Sequence, residues 1–310
     1  FLFIALQYLN TFSSICIGIF LVMVVADTFR PAMFVAMSVY SKPENKTRSV
    51  TLIRLAINLG FSAGPAIGGF IITAMGYGGL FWVDGITCIL ATLLLIRVLN
   101  PRKAKAIDEI TIENPVSVYK DKPFWIFFAA MTIFGIIFLQ YFSTIPLYYK
   151  DIHSLTEFEI GVLLGLNGFF IFLLEMPLIK WLENTKYSKI GLTLIGLFLT
   201  ILSFYALNIS SWTGILIVGM LFMTIGEMIA FPFSNAFAMD RAKKGKQGEY
   251  LSMYVMSFSI AHIFGHNAGL RLVDSFGYTN TWYIMIALGA LGILLLYYLK
   301  RVLISKNELA

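Results

Sequence analysis

The chain has 310 residues, of which 58% are hydrophobic and only 13% are charged. Soluble domains carry about a quarter charged residues, and their cores lack repeated apolar runs of about 20 residues, the length that spans a bilayer. The composition therefore excludes an ordinary soluble protein and predicts an all-α, polytopic membrane helical bundle. The net charge of +6 does not indicate nucleic-acid binding, because here the positions of the charges matter more than their sum.

Apolar segments predict nine complete membrane helices after a partial helix at residues 1–9. The predicted spans are 15–40, 50–74, 79–97, 124–148, 157–181, 188–208, 212–239, 250–272 and 280–303. The polar stretch 98–123 is the longest connection between them. We therefore predict an incomplete N-terminal helical bundle at 1–97, a cytoplasmic linker at 98–123 and a six-helix C-terminal bundle at 124–310.

Basic residues lie almost entirely in alternate connections. Most of the 23 lysines and arginines fall in the connections near 42–54, 97–122, 180–189 and 241–246 and in the C-terminal tail, whereas 75–79 and 209–212 carry none. Basic connections face the cytoplasm in multi-pass proteins. The pattern therefore predicts a C-terminus on the cytoplasmic side.

The first complete helix carries two charges at bilayer depth. Asp27 and Arg30 are three residues apart, so they lie on one helix face. Charged side chains at this depth are costly, and they mark transport pathways or pair with one another. Proton coupling in a cavity and a structural ion pair are both consistent with this spacing.

The next helix contains four glycines around a proline. The residues are Gly60, Gly64, Pro65, Gly68 and Gly69, in the spacing Gly-x-x-x-Gly-Pro-x-x-Gly-Gly. Glycines at this spacing share a face and let another backbone approach closely, and the proline should bend or loosen the helix. The motif resembles the antiporter motif in the fifth helix of major facilitator transporters, especially the drug:proton exchange group. A packing seam of small residues without a transport role is the alternative.

The two halves of the chain repeat each other. An ungapped offset of 201 residues pairs Pro31 with Pro232, Gly64 with Gly265, Gly68 with Gly269, and Gly76-Tyr77 with Gly277-Tyr278. Two pseudo-symmetric parallel halves are the plan of the major facilitator fold that the chain resembles. In this register we expect the chain to lack the first two and a half helices of a twelve-helix protein.

Three candidate site residues lie in the apolar helices 124–148 and 157–181. Gln140 and Tyr141 could contact a substrate or form a gate, and packing is the alternative for both. Glu175 lies two residues before Pro177, where it could act as a gate or be neutralised structurally by Lys180 or Arg241.

Glu227 lies near the middle of the helix 212–239. The repeat pairs it with Ala26, so we expect it at the depth of Asp27, facing the same cavity. No charged residue lies at helical contact spacing on its own helix, which is typical of a group that takes up and releases protons. The alternative is a permanent ion pair with Arg30 across the cavity.

His262 and His266 are four residues apart on the helix 250–272, a spacing that can hold a metal. No third ligand is evident nearby in the sequence. We therefore expect neither metal nor cofactor, and favour hydrogen-bonded packing, proton sensing or a gate.

The family resemblance implies a secondary active transporter of small molecules, not an enzyme, that works by proton-coupled efflux and alternating access. It implies a monomer in the bacterial inner membrane whose partners are a small-molecule substrate, protons and the lipid bilayer. A solute:proton symporter of the same fold is one alternative. A membrane-embedded metal or haem enzyme that uses the two histidines is an alternative from a different class.

Overall fold

The computed structural model describes residues 1–40, 46–99, 116–210, 212–242, 247–306 and 308. Helices make up nearly all of these residues, and no β-strand is found among them, which confirms the prediction of an all-α bundle. The chain forms two compact units, Phe1–Thr111 and Ile112–Ala310.

Nine helices lie in the described residues. They are α1 (Leu2–Leu6), α2 (Phe12–Tyr40), α3 (Lys46–Val98), α4 (Lys122–Leu139), α5 (Thr144–Asp151), α6 (Glu157–Glu183), α7 (Lys189–Ile209), α8 (Gly214–Ala242) and α9 (Gln247–Ser305). Within the described ranges, six helical stretches are long and apolar enough to cross a membrane. These are Ala74–Val98, Lys122–Asp151, Phe158–Glu183, Lys189–Ile209, Gly214–Arg241 and Gly248–Ser305.

The structure confirms two helices in each of two predicted regions and shortens the connection between them. Residues 50–97 and 250–303 were each expected to form two helices with a connection of several residues; in α3 and α9 the two helices meet at a single glycine with non-helical backbone angles. Gly76 has φ 70° and Gly277 has φ 75°, a left-handed conformation that other residues rarely adopt. The repeat pairs these two glycines, so it is present in the backbone conformation as well as in the sequence.

Helix α4 is one of the core helices of the second unit. It packs mainly against α9, while α7 packs against both α8 and α9, and α6 packs against α8. Phe124, Phe127 and Phe134 on α4 are fully buried. These rings pack on aromatic rings of α8 and α9, so α4 contributes to the core of the second unit.

A short 3₁₀ turn at Gln140–Phe142 separates α4 from α5. Pro146 in the first turn of α5 has no N–H, so the carbonyl of Phe142 loses its usual helical partner. A 3₁₀ turn inside a membrane-spanning stretch often marks a functional position. The turn contains Gln140 and Tyr141, both predicted as candidate site residues.

Helices α7 and α8 cross at two glycines. A Cβ atom added at Gly226 would lie 2.7 Å from the carbonyl oxygen of Gly196, and one added at Gly196 would lie 2.7 Å from the carbonyl oxygen of Gly226. The two backbones are therefore in direct contact, which only glycine permits at this distance. This crossing fixes the position of Glu227, the residue that follows Gly226.

Candidate proton and substrate site

The second unit holds a polar site between α6 and α8, with Tyr141 from the 3₁₀ turn nearby. We define the Glu227 site as Tyr141, Asn167, Thr224 and Glu227. Asn167 is only 6% exposed, and its Nδ2 atom lies 2.9 Å from Thr224 Oγ1 and 3.4 Å from Glu227 Oε2. Glu227 itself is half-buried, so its carboxylate is partly removed from solvent while contacting a neutral amide.

The hydrogen bonds fix the orientation of the Asn167 amide. Thr224 Oγ1 donates to the carbonyl of Met220 at 2.8 Å, so the same hydroxyl oxygen accepts from Asn167. The amide nitrogen, which carries two hydrogens, therefore points to α8, and its second acceptor is Glu227. Asn167 thus presents an N–H group to the carboxylate.

Tyr141 contributes a buried hydroxyl to this part of the second unit. The side chain is 1% exposed, and its hydroxyl oxygen has no hydrogen-bond partner within the described part of the chain. It lies within electrostatic range of Glu227. A buried polar atom without a partner costs roughly 1–3 kcal/mol, so such an atom in a native structure is a candidate for binding a further group.

An aromatic cluster borders the site. Phe231 lies one helical turn after Glu227, and its ring centroid is 5.1 Å from that of Phe134, 4.9 Å from that of Phe138 and 5.3 Å from that of Phe258. The site therefore combines one acidic group and several hydrogen-bonding groups with a large apolar surface, which is the usual composition of a small-molecule site.

Gln140 joins two helices in this structure. It is fully buried; its Nε2 atom donates to the carbonyl of Gly265 at 2.9 Å, and Thr144 donates to its Oε1 atom at 3.0 Å. A side chain at Gly269 would overlap Gln140, which explains why a glycine of the repeated motif lies there. Gln140 thus bridges α4 and α9, and its contact with a substrate remains a prediction.

Arg241 does not have the partner that we considered for it. It was a possible neutralising group for the buried Glu175, but its Nε and Nη2 atoms bind Asp121 at 2.6 and 2.8 Å and its Nη1 atom binds Glu308 at 2.5 Å. Tyr250 also donates to Asp121, at 3.0 Å. We refer to Asp121, Arg241, Tyr250 and Glu308 as the Arg241 cluster; the gate role of Glu175 remains a prediction.

His262 and His266 lie side by side on α9. Their ring centroids are 5.6 Å apart, and His262 is exposed while His266 is half-buried. Among the described residues, no group of three or more His, Cys, Asp or Glu side chains is placed to hold a metal ion. A gating or proton-sensing role for the pair remains a prediction.

The candidate residues of the first unit are only partly described. The side chains of Asp27, Arg30, Pro65 and Gly69 lie outside the described residues. Helix α3 continues through the glycine motif, and Gly60 and Gly64 are exposed while Gly68 is half-buried. The bend or loosening at the proline of the motif remains a prediction. The roles of all seven residues remain predictions.

The sequence analysis did not single out Asn167 as a functional residue. Asn167 lies between Gly165 and Gly168 in an otherwise apolar stretch. It is the only amide side chain in the 27 residues of α6. An isolated amide at membrane depth is the signal that could have identified it, because a polar group there needs a partner.

Comparison with known proteins identifies the family. The family model described as Major Facilitator Superfamily matches residues 1–266 and 194–309. The MFS-type transporter YttB of Bacillus subtilis is 25% identical over 76% of this chain and 59% of its own length. A Na(+), Li(+), K(+)/H(+) antiporter of Planococcus maritimus is 21% identical over 67% of this chain and 55% of its own length. The chain thus spans less than two thirds of the length of these relatives.

Solved structures show the same fold. A POT family transporter in complex with a thioalcohol-conjugated peptide matches with a TM-score of 0.69 and 17% identity, covering 98% of this chain and 79% of that one. A POT family transporter in complex with 5-aminolevulinic acid matches with a TM-score of 0.68 and 18% identity, with the same coverage. The apolar helices, the repeat and these matches agree: the chain is a multi-pass membrane protein that belongs to the Major Facilitator Superfamily of transporters.

Proposed function

We propose that the whole protein is a secondary active transporter that exchanges protons for a small solute, with Glu227 as the proton carrier. The observation that carries this proposal is the Glu227 site. A half-buried carboxylate contacts a neutral amide there, a buried tyrosine hydroxyl lies within electrostatic range, and an aromatic cluster borders the site. Partial burial disfavours the ionised carboxylate and an N–H donor favours it, so these surroundings support both protonation states.

Exchange rather than co-transport is supported by two observations. The glycine motif at 60–69 resembles the antiporter motif of proton exchangers. The Planococcus relative is named as an antiporter of sodium, lithium or potassium ions with protons. In exchange, protonation of Glu227 releases the solute on one side of the membrane, and deprotonation on the other side permits the next solute to bind.

The test uses the natural full-length protein in everted membrane vesicles with a respiration-driven pH gradient. Sodium, lithium and potassium chloride and ethidium are added in turn, and a pH-sensitive fluorescent dye reports proton release. We expect at least one of these probes to dissipate the gradient with the wild-type protein. Glu227→Gln should reduce this response at least tenfold, because glutamine cannot carry the proton.

Glu183→Gln is the matched control, since Glu183 is exposed at the end of α6. It should leave the response unchanged. A Glu227→Gln protein that keeps its melting temperature and still dissipates the gradient would contradict the proposal. Loss of folding in this variant would instead support the permanent ion pair with Arg30. If a probe moves in the same direction as the protons, the transporter is a symporter and not an exchanger.

A further inference from the structure

The contacts of Asn167 extend the proposed function to a second residue. Asn167 lies on α6 and Thr224 lies on α8. Both side chains are polar and almost fully buried. Thr224 and Glu227 are three residues apart, so both face α6 from the same side of α8. One amide therefore connects α6 to two side chains of α8.

The two bonds of this amide differ in length. The bond from Asn167 Nδ2 to Thr224 Oγ1 is 2.9 Å long, whereas the bond to Glu227 Oε2 is 3.4 Å, near the limit for a hydrogen bond. Because Thr224 already donates to the Met220 carbonyl, its oxygen can only accept from the amide. Thr224 therefore holds the amide in place, and the contact with the carboxylate is the one that can change.

The chemistry of this contact depends on the protonation state of Glu227. An N–H donor stabilises an ionised carboxylate more than a neutral carboxyl group, because hydrogen bonds to charged acceptors are roughly twice as strong. Partial burial has the opposite effect, since it disfavours the ionised form. The Asn167 amide thus offsets part of the cost of burying the ionised Glu227 carboxylate, the form that remains after the proton is released.

We propose that Asn167, oriented by Thr224, is a positioning residue that enables Glu227 to release its proton in this conformation. This inference rests on the proposed function of Glu227 as the proton carrier. Asn167 carries no proton itself; it acts through the carboxylate that it contacts. Thr224 in turn acts through Asn167, so removal of either side chain should alter the same property of the transporter.

The test titrates Glu227 directly and needs no knowledge of the solute. The infrared carbonyl band of protonated carboxyl groups is followed against pH in the purified full-length protein in lipid, and the part lost in Glu227→Gln is assigned to Glu227. In Asn167→Ala we expect the midpoint of this band to move to higher pH by about one unit, a tenfold change in proton affinity. The pH profile of transport should move in the same direction.

Thr224→Val provides a second variant, which keeps the shape of threonine but removes the acceptor for the amide. We expect a shift in the same direction, smaller than that of Asn167→Ala. Thr193→Val is the matched control, because Thr193 is also fully buried and its hydroxyl donates to the Lys189 carbonyl of its own helix. It should not move the midpoint.

The outcomes separate this inference from the proposed function. An unchanged midpoint in both Asn167→Ala and Thr224→Val would overturn the role of Asn167, even if transport became slower. If Asn167→Ala does not fold, the Thr224→Val midpoint alone decides. If Glu227 titrates but Glu227→Gln still exchanges protons, the proposed function fails. If Glu227→Gln abolishes exchange but the Asn167 and Thr224 variants keep the wild-type midpoint of Glu227, this inference alone fails.

Discussion

His153 lies in the connection between α5 and α6, outside the membrane-spanning stretches, and its surroundings affect its protonation. His153 Nε2 lies 3.3 Å from the hydroxyl of Tyr148, which itself donates to the carbonyl of Leu207 at 3.0 Å. Since the hydroxyl hydrogen is used in that bond, Nε2 of His153 is the donor. Partial burial lowers the pKa of His153 below its ordinary value, so the structure favours the neutral ring.

This shift predicts a loss of stability in acid. As pH falls through the ordinary histidine value of about 6.5, an exposed ring in the unfolded chain binds a proton before the ring in the structure does. The melting temperature of the purified protein should therefore fall from about pH 7.5 to about pH 5.5. His153→Gln should reduce the part of this fall that titrates near the histidine value. An identical pH dependence in the variant and the wild type would show that His153 is not responsible.

At the residue scale, the sequence carries those signals that lie within one helix. Glu227 could be identified because a carboxylate in an apolar stretch is conspicuous. Its contact with Asn167 could not be identified, because the two residues are 60 positions apart and meet only through the packing of α6 on α8. The same limit applies to Arg241, whose partners Asp121 and Glu308 lie in distant parts of the sequence.

At the scale of helices, the crossing of α7 and α8 determines where Glu227 lies. We expect Gly226→Ala to lower stability by about 1–3 kcal/mol, because its new methyl group would meet the backbone of α7 and the helices would have to separate. Thermal unfolding of the purified protein measures this change. The dissipation of the pH gradient by transport should also change, since the helix that carries Glu227 would be displaced.

Gly248→Ala is the control for this prediction. Gly248 is an exposed glycine of α9 with no atoms near the position of an added Cβ. Alanine is the better helix former, so this variant should be neutral or slightly more stable. Equal effects of the two substitutions would show that the crossing at Gly226 is not tight.

Helix positions were largely predictable from the sequence, but the length of two connections was not. The predicted span 157–181 and the observed α6 (Glu157–Glu183) begin at the same residue, where Thr156 and Glu159 form a capping box. The breaks at Gly76 and Gly277 were expected to be connections of several residues. Each is confined to one glycine with a positive φ, a property that composition does not reveal.

At the scale of the second unit, the Arg241 cluster connects segments that are far apart in the chain. Asp121 precedes α4, Arg241 lies near the end of α8, Tyr250 lies in the first turns of α9, and Glu308 follows α9. Asp121 and Arg241 are 5% and 8% exposed. One guanidinium group therefore holds three helices and the tail together at one end of the unit.

Removing this guanidinium group should destabilise the unit strongly. Arg241→Met leaves the buried Asp121 carboxylate without its charged partner, which typically costs about 3–5 kcal/mol. Arg301→Met is the control, since Arg301 is exposed and contacts mainly the ring and hydroxyl of Tyr297; we expect a loss below about 1 kcal/mol. Thermal unfolding compares the two, and similar losses would contradict a structural role for the cluster.

The single-residue breaks at Gly76 and Gly277 also determine how much of the protein can be reached from one side of the membrane. A protease or an antibody needs several residues of extended chain, and two helices that meet at a single glycine offer none. By contrast, the connection at 152–156 between α5 and α6 contains exposed Ser154 with φ 54°. Epitope tags and cleavage sites for mapping topology therefore belong in that connection rather than at either glycine.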